Sequence, residues 1–378
     1  MAEVKKIIIV AGEASGDLHA ANLVRAIRDI QPEVKFYGLG GNKMQVAGVE
    51  LFYDLTRLSV VGFSEVIKHL KTIRRIFKQL LKNIDEIKPD AAILVDYPGF
   101  NLRLAKELKK RNIKVIYYIS PQIWAWGLNR VHLIKRVVDK MIVILKFEEG
   151  LYKKYGVDVS FVGHPLLDIV KPTASKVEFL KSVGLDINKT TIALLPGSRH
   201  KEVEGLLPIM LRAAQIIRQR YPLTQFLLLK SSTVNEEIFR KILASTNLSL
   251  TAVIDQTYNG LNASEFAIVT SGTATLETAI LQVPMVIIYR VSFLTWLFIR
   301  KMLKIPYIGL VNVVVGKKIV PECLQYEATP EIIAKNILEI MESPERLSAT
   351  KNELIKLGRS LGENGASNRA AQIAVGLL

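Results

Sequence analysis

The sequence predicts an α/β protein of two doubly wound halves, each a parallel sheet covered by helices. Three observations predict it. The candidate strands are unbroken apolar runs rather than alternating ones, the mark of strands buried on both faces. They alternate with stretches whose apolar residues recur at helical spacing. The alternation then pauses near Pro172 and starts again.

In chain order, residues 6–10, 34–38, 91–95, 114–118, 140–145 and 158–162 read as the strands of the first half, with a helix over 18–30. The second half offers strands at 191–195, 225–229, 267–269 and 284–288, and helices around 206–220 and 235–243. The tail, 329–378, is helical by pattern. The division expected is 1–170, 171–340, and a terminal segment 341–378 that packs back on the first half or on a partner chain of a homodimer. Two such halves joined near 165–175 would set a ligand cleft between them, at the carboxyl ends of the strands.

Composition narrows the function. A chain of 378 residues is too long for one compact unit. Its start is charged and then only briefly apolar, so no signal peptide is expected, and no apolar run reaches the length of a membrane span. The single cysteine, Cys323, leaves no internal disulfide or zinc cluster and suits a reducing cytosol. A net charge of +16 implies a polyanionic neighbour. Finger spacing, a basic zipper and an aromatic RNA-binding strand are all lacking, which speaks against nucleic acid and for a membrane surface or a phosphorylated ligand.

The most informative stretch is Ser271-Gly-Thr-Ala-Thr-Leu-Glu277, where a strand runs into a helix. Ser271, Gly272 and Thr273 fall where free helix amides point outward, a ready site for a diphosphate. Glu277, about two turns in, is placed to take neutral hydroxyls such as those of a ribose. Its counterpart is Leu195-Pro-Gly-Ser-Arg199, whose Arg199 reaches the same sheet edge and offers a planar fork for phosphate.

The first half carries a different chemistry. Gly12-Glu-Ala-Ser-Gly-Asp17 follows the first strand, but it is neither G-x-G-x-x-G nor a P-loop. Glu13 and Asp17, flanking Ser15, would repel a phosphate, which suits the acceptor side. Asp96 ends another strand, where an acid serves as a general base or simply as a turn former. Trp124 and Trp126 in Ser120-Pro-Gln-Ile-Trp-Ala-Trp126 line a ligand or anchor a loop. His164 reads as structural and His19 as a weak base candidate. Over 60–81, Phe63, Val66, Ile67, Leu70, Ile73, Phe77, Leu80 and Leu81 share one helical face flanked by Lys68, Lys71, Arg74, Arg75 and Lys78. Such a helix is either a surface anchor on anionic lipid or an ordinary buried face. The stretch 293–299, flanked by Arg290, Arg300, Lys301 and Lys304, is a second patch of this kind.

In this order and spacing, these motifs, with Gly163-His-Pro165, Tyr289-Arg290, Asn312 and Pro321-Glu-Cys-Leu-Gln325, resemble the lipid-A-disaccharide synthase family over nearly the whole chain. Cys323, where an aliphatic residue is expected, is a departure with no catalytic bearing. The resemblance implies a GT-B glycosyltransferase with the nucleotide on the C-terminal half. It implies that UDP-2,3-diacylglucosamine is joined to 2,3-diacylglucosamine 1-phosphate, at the cytoplasmic face of the inner membrane and without a cofactor. Asp96, aided by Glu13, would be catalytic. Arg199, Ser271, Gly272, Thr273, Glu277, Asn312 and Gln325 would hold the donor. Ser15, Asp17, Phe63, Leu70, Phe77 and Trp124 would face the acceptor or the membrane. No Asp-x-Asp pair follows a strand, in keeping with metal independence. Two rivals share parts of this pattern: a UDP-sugar 2-epimerase-like enzyme, and a non-catalytic nucleotide-sugar or lipid-binding protein.

Overall fold

The structure is a computed structural model and describes residues 4–58, 63–292, 296 and 305–378. It divides into two units, Met1–Pro165 with Leu361–Leu378, and Leu166–Ser360. Strands β1 (Lys6–Ala11), β2 (Lys35–Gly40), β3 (Glu50–Asp54), β4 (Ala91–Val95), β5 (Lys114–Tyr118), β6 (Lys140–Val143) and β7 (Val159–Phe161) form the sheet of the first unit. All pair in parallel, in the order β3-β2-β1-β4-β5-β6-β7. Around them lie α1 (Ala14–Ile30), α2 (Asn42–Val46), α3 (Phe63–Ile87), α4 (Pro98–Lys110), α5 (Ile123–Trp126), α6 (Val131–Val137) and α7 (Lys146–Lys154).

In the second unit β8 (Thr191–Leu195), β9 (Gln225–Lys230), β10 (Thr251–Ile254), β11 (Phe266–Thr270), β12 (Met285–Tyr289) and β13 (Glu322–Leu324) repeat the scheme in the order β10-β9-β8-β11-β12-β13. The helices there are α8 (Leu166–Ile169), α9 (Lys176–Ser182), α10 (His200–Arg220), α11 (Glu236–Leu243), α12 (Thr257–Asn262), α13 (Thr273–Ile280), α14 (Leu310–Val315), α15 (Pro330–Met341) and α16 (Pro344–Ser360). Both sheets reverse their strand order once, between β1 and β4 and between β8 and β11. A reversal splays the flanking loops apart, which is where doubly wound sheets bind ligands.

Central strands such as Ile7–Val10 and Ile192–Leu194 are fully buried because helices cover both faces. Strands β3, β10 and β13 are absent from the sequence expectation. All three are sheet edges, and β3 and β10 are half exposed, so they show no apolar run. Helix α1 begins four residues earlier than expected and takes in Ala14-Ser-Gly-Asp17. Helix α10 likewise starts at His200 and carries Pro208 within it.

The basic helix has two characters. From Ile73 onward its apolar face is core: Ile76, Leu80 and Ile84 are buried, and Ile73, Phe77 and Leu81 pack on the same cluster. Phe77, expected on the membrane face, meets the ring of Phe100 edge-on at 5.2 Å. Leu70 is half-buried, and Lys71, Arg74, Arg75 and Lys78 are exposed. Of the expected membrane segments, Val60, Val61 and Gly62 lie outside the described residues, as do 293–295 and 297–304. No helix of the described residues is long and apolar enough to cross a membrane.

The chain's last helix, α17 (Ala366–Val375), lies on α1 in the first unit through a face of Ala366, Ala370, Ala371 and Ala374. Alanine lets the two backbones approach closely. Arg369 fastens the return by donating to the carbonyls of Val162, Glu363 and Asn364 at 2.6–2.8 Å, and the amide of His164 donates to Leu361 O at 2.8 Å. Gly163-His164-Pro165 thus anchors the returning tail.

Candidate active site

In the first unit, four adjacent strands deliver polar residues to one sheet edge: β1 delivers Glu13, β4 Asp96, β5 Ser120 and β6 Glu148. Asp96 and Tyr97 both adopt left-handed backbone, each with φ 46°. Two such non-glycine residues in a row cost on the order of 1–3 kcal/mol each and persist only where their surroundings impose them. Here Asn101 Nδ2 donates to Asp96 O at 2.8 Å and to Val95 O at 3.2 Å, and the Tyr117 hydroxyl donates to Asp96 O at 2.6 Å. The Tyr97 ring lies over Gly12, where an added Cβ would stand 2.3 Å from it. Only glycine fits beneath that ring, and this is a structural reason for the small residue after β1.

Burial pushes the Asp96 carboxyl up to about 6, the negative charge of exposed Glu13 adds to the rise, and the Tyr97 amide opposes it. A carboxyl poised there is a competent general base near neutral pH. Glu13 and Ser15 are exposed at the first turn of α1. Asp17 does something else: its carboxylate accepts from the amides of Gly41, Lys43 and Met44 at 2.8–3.1 Å and so caps α2. His19 and His164 are buried close to one another and held neutral, at about 4 and about 3, mainly by desolvation.

Glu148 is a residue the sequence reading missed. It is 2% exposed, and its Oε1 accepts from Ser120 Oγ at 2.7 Å and from the Trp124 indole N–H at 3.0 Å. Its other oxygen, Oε2, is buried without a hydrogen-bond partner. Burial pushes this carboxyl up to about 7, against the lowering effect of those donors, and the charge of Asp96 adds a smaller push. Glu148 is therefore the anchor of the tryptophan loop, and Trp124 turns its polar edge inward.

In the second unit the corresponding edge carries Arg199 after β8, Ser271 after β11 and Gln325 after β13. Ser271, half-buried, is fixed by its amide to Ile288 O at 2.9 Å; Gly272 and Thr273, exposed, open α13. Arg199 caps α10 and pairs with Glu202 at 2.9 Å. The Glu202 carboxylate sits over Gly197, where a Cβ would meet it at 2.4 Å and where φ is +105°. Glu277 accepts from the Tyr258 hydroxyl at 3.1 Å, and burial pushes its carboxyl up.

Asn312 and Gln325 are turned to the protein instead. Asn312, fully buried, donates to Val320 O and Glu322 Oε1 and accepts from the amides of Ile319 and Val320, which uses its two donors and both lone pairs. Gln325 forms a reciprocal pair with the backbone of Val291, at 3.1 and 2.8 Å. Both shape the loops beside β12 and β13; Asn312 has no group left for a sugar, whereas Gln325 keeps one amide hydrogen and one lone pair beyond the Val291 pair. Among the described residues no cluster of His, Cys, Asp or Glu is arranged to hold a metal ion.

Comparison with known proteins agrees with this architecture. Among solved structures, the chain is similar to CalG4, the calicheamicin glycosyltransferase, with a TM-score of 0.66 and 12% identity over 100% of this chain and 98% of that one. It is also similar to the UDP-GlcNAc 2-epimerase of Neisseria meningitidis bound to UDP-GlcNAc, with a TM-score of 0.64 and 13% identity over 99% of each chain. At such identities the likeness is one of fold, and that fold is GT-B. In sequence, the chain is 48% identical to the lipid-A-disaccharide synthase of Syntrophus aciditrophicus over 99% of this chain and 98% of that one. It is 42% identical to lipid-A-disaccharide synthase 1 of Legionella pneumophila over 97% and 96%. The family model described as Lipid-A-disaccharide synthetase matches residues 7–376. On that full-length agreement, the chain belongs to the lipid-A-disaccharide synthase family.

Proposed function

We propose that the chain is an inverting glycosyltransferase that joins UDP-2,3-diacylglucosamine to 2,3-diacylglucosamine 1-phosphate, giving the β-1,6 disaccharide 1-phosphate and UDP. The observation that carries the residue assignment is Asp96, a half-buried residue whose carboxyl is raised to about 6 beside Glu13 on constrained left-handed backbone. Asp96 takes the proton of the acceptor's 6-hydroxyl; the oxygen forms a bond to the anomeric carbon as the bond from that carbon to the UDP oxygen breaks. Negative charge accumulates on the departing diphosphate. Ser271, Gly272 and Thr273 at the start of α13 and the guanidinium of Arg199 meet it. Glu277, steadied by Tyr258, takes the ribose hydroxyls. Asn312 and Gln325 act indirectly, by shaping the donor loops.

Docking to the cytoplasmic face of the inner membrane belongs to the same proposal. Its support is the exposed row Lys71, Arg74, Arg75 and Lys78 along the middle of α3 and the overall charge of +16. The test is UDP release from UDP-2,3-diacylglucosamine in chelator, with and without the acceptor. Release only with acceptor is expected. Release without it would replace this reading with a hydrolase or epimerase, and no release with either would leave a binding protein.

A further inference from the structure

We propose that the groove between α4 and α6 is the subsite for the phosphomonoester of the acceptor. It is a cavity of about 230 Å³ lined by Pro98, Gly99, Leu102, Arg103, Lys106, Arg130 and Leu133. On α4 the lining residues form one stripe that starts at Pro98, two positions after Asp96. The groove therefore leads away from the candidate base along the helix that follows it.

Its charge is the telling feature. The cations farther along α4 are all paired: Lys109 with Asp139, Lys110 with Glu107, and Arg111 with Asp85 and Glu107. Arg103, Lys106 and Arg130 also lie at the surface, yet no carboxylate among the described residues pairs with any of them. Three unpaired cations facing one groove repel each other until an anion joins them, and a doubly charged phosphate is the anion that gains most. The amino-terminal end of the thirteen-residue α4 adds its dipole in the same sense. Leu102 and Leu133 give the groove apolar patches beside the cations, which suits a phosphate carried on an acylated sugar better than a free ion. Burial holds the Tyr117 phenol well above its ordinary range and so keeps the hydroxyl that donates to the Asp96 carbonyl protonated; Arg130 lies near enough to oppose that rise slightly, which places the groove beside the base's own support. The inference rests on the transferase reading above and assigns the end of the acceptor that reading leaves unplaced.

The test is equilibrium binding in detergent, without donor, of 2,3-diacylglucosamine 1-phosphate and of its dephosphorylated form. Wild type should prefer the phosphorylated acceptor. In Arg103→Ala/Lys106→Ala that preference should fall at least about tenfold, through weaker binding of the phosphorylated form alone. Arg130→Gln, a single milder change, should reduce it in the same direction. Equal losses on both acceptors, or no loss on either, would overturn the proposal. So would unchanged acceptor binding with lost binding to phosphatidylglycerol vesicles, which would assign the cations to a lipid headgroup. Because no turnover is needed, a wild type that discriminates the phosphate but transfers nothing would count against the transferase reading and leave the subsite standing.

Discussion

The indole N–H of Trp124 donates to Glu148 Oε1 at 3.0 Å, in a place where the carboxyl's other oxygen has no partner. A group so placed is more easily buried neutral than charged. Its folded-state value of about 7 exceeds the ordinary 4.5, so its contribution to stability is full below about pH 4.5 and is lost as pH rises through 7. Glu148→Gln keeps the acceptor for Ser120 and Trp124 and removes the proton equilibrium. The variant should abolish a stability loss on the order of 3 kcal/mol between those limits, read by urea unfolding at pH 5 and pH 8. Equal slopes in wild type and variant would show that Glu148 ionises without cost.

Asp96 should govern the acid limb of the rate. With the carboxyl at about 6, kcat should fall below that pH, because a protonated base cannot accept. Asp96→Asn should lower kcat by about 10²–10⁴ while UDP affinity holds. Glu13→Gln removes a charge that raises Asp96, so the limb should move to lower pH, modestly because Glu13 is exposed to screening solvent.

Arg199 is paired with Glu202, so a diphosphate that binds there competes with that carboxylate for one fork. Arg199→Ala should weaken UDP binding by about tenfold or more, the worth of a charge-assisted contact. Glu202→Gln should strengthen it. Calorimetry that finds both variants at wild-type affinity would move the diphosphate away from α10.

Glu277 should discriminate ribose hydroxyls. Wild type should bind UDP more tightly than 2′,3′-dideoxy-UDP, and Glu277→Ala should bind the two alike. Persistence of the wild-type preference in the variant would assign the ribose elsewhere.

The two characters of α3 should separate by experiment. Phe77→Ser removes a ring packed on Phe100 and should lower Tm, with a cost of about 2 kcal/mol for a half-buried aromatic. Replacing Lys71, Arg74, Arg75 and Lys78 by Gln should leave Tm nearly unchanged and release the protein from anionic vesicles, at about 1 kcal/mol per charge. Vesicle binding that survives the second change would leave α3 a core helix only.

The centre of each sheet was legible because strands such as Ala91–Val95 and Thr191–Leu195 are covered on both faces and so read as apolar runs. The place of Asp96 was legible for the same reason, since a charged residue directly after such a run marks the sheet edge, and that of Arg199 from the Pro196-Gly-Ser turn that follows Leu195. Glu148 carried no such signal: Lys146-Phe-Glu-Glu-Gly150 reads as a solvated helix start, and only the fold reveals that the first of two adjacent acids points inward. Asp17 and Asn312 misled in the opposite sense. Their types suit ligand contacts, but each satisfies backbone amides brought close by the tertiary fold, Gly41 to Met44 and Ile319 to Val320.

The docking of α17 on α1 has a consequence for synthesis. A nascent chain emerges amino end first, so α1 appears early and waits for Leu361–Leu378, which follow only after the whole of the other unit. Meanwhile the uninterrupted span Leu166–Ser360 can close on itself, and the half that begins first finishes last. At roughly 5–20 residues per second, that span alone delays completion by about 10–40 s. Throughout that interval the α1 surface destined for the alanine face of α17 stays bare, an opening for holdase chaperones and for premature association between neighbouring nascent chains.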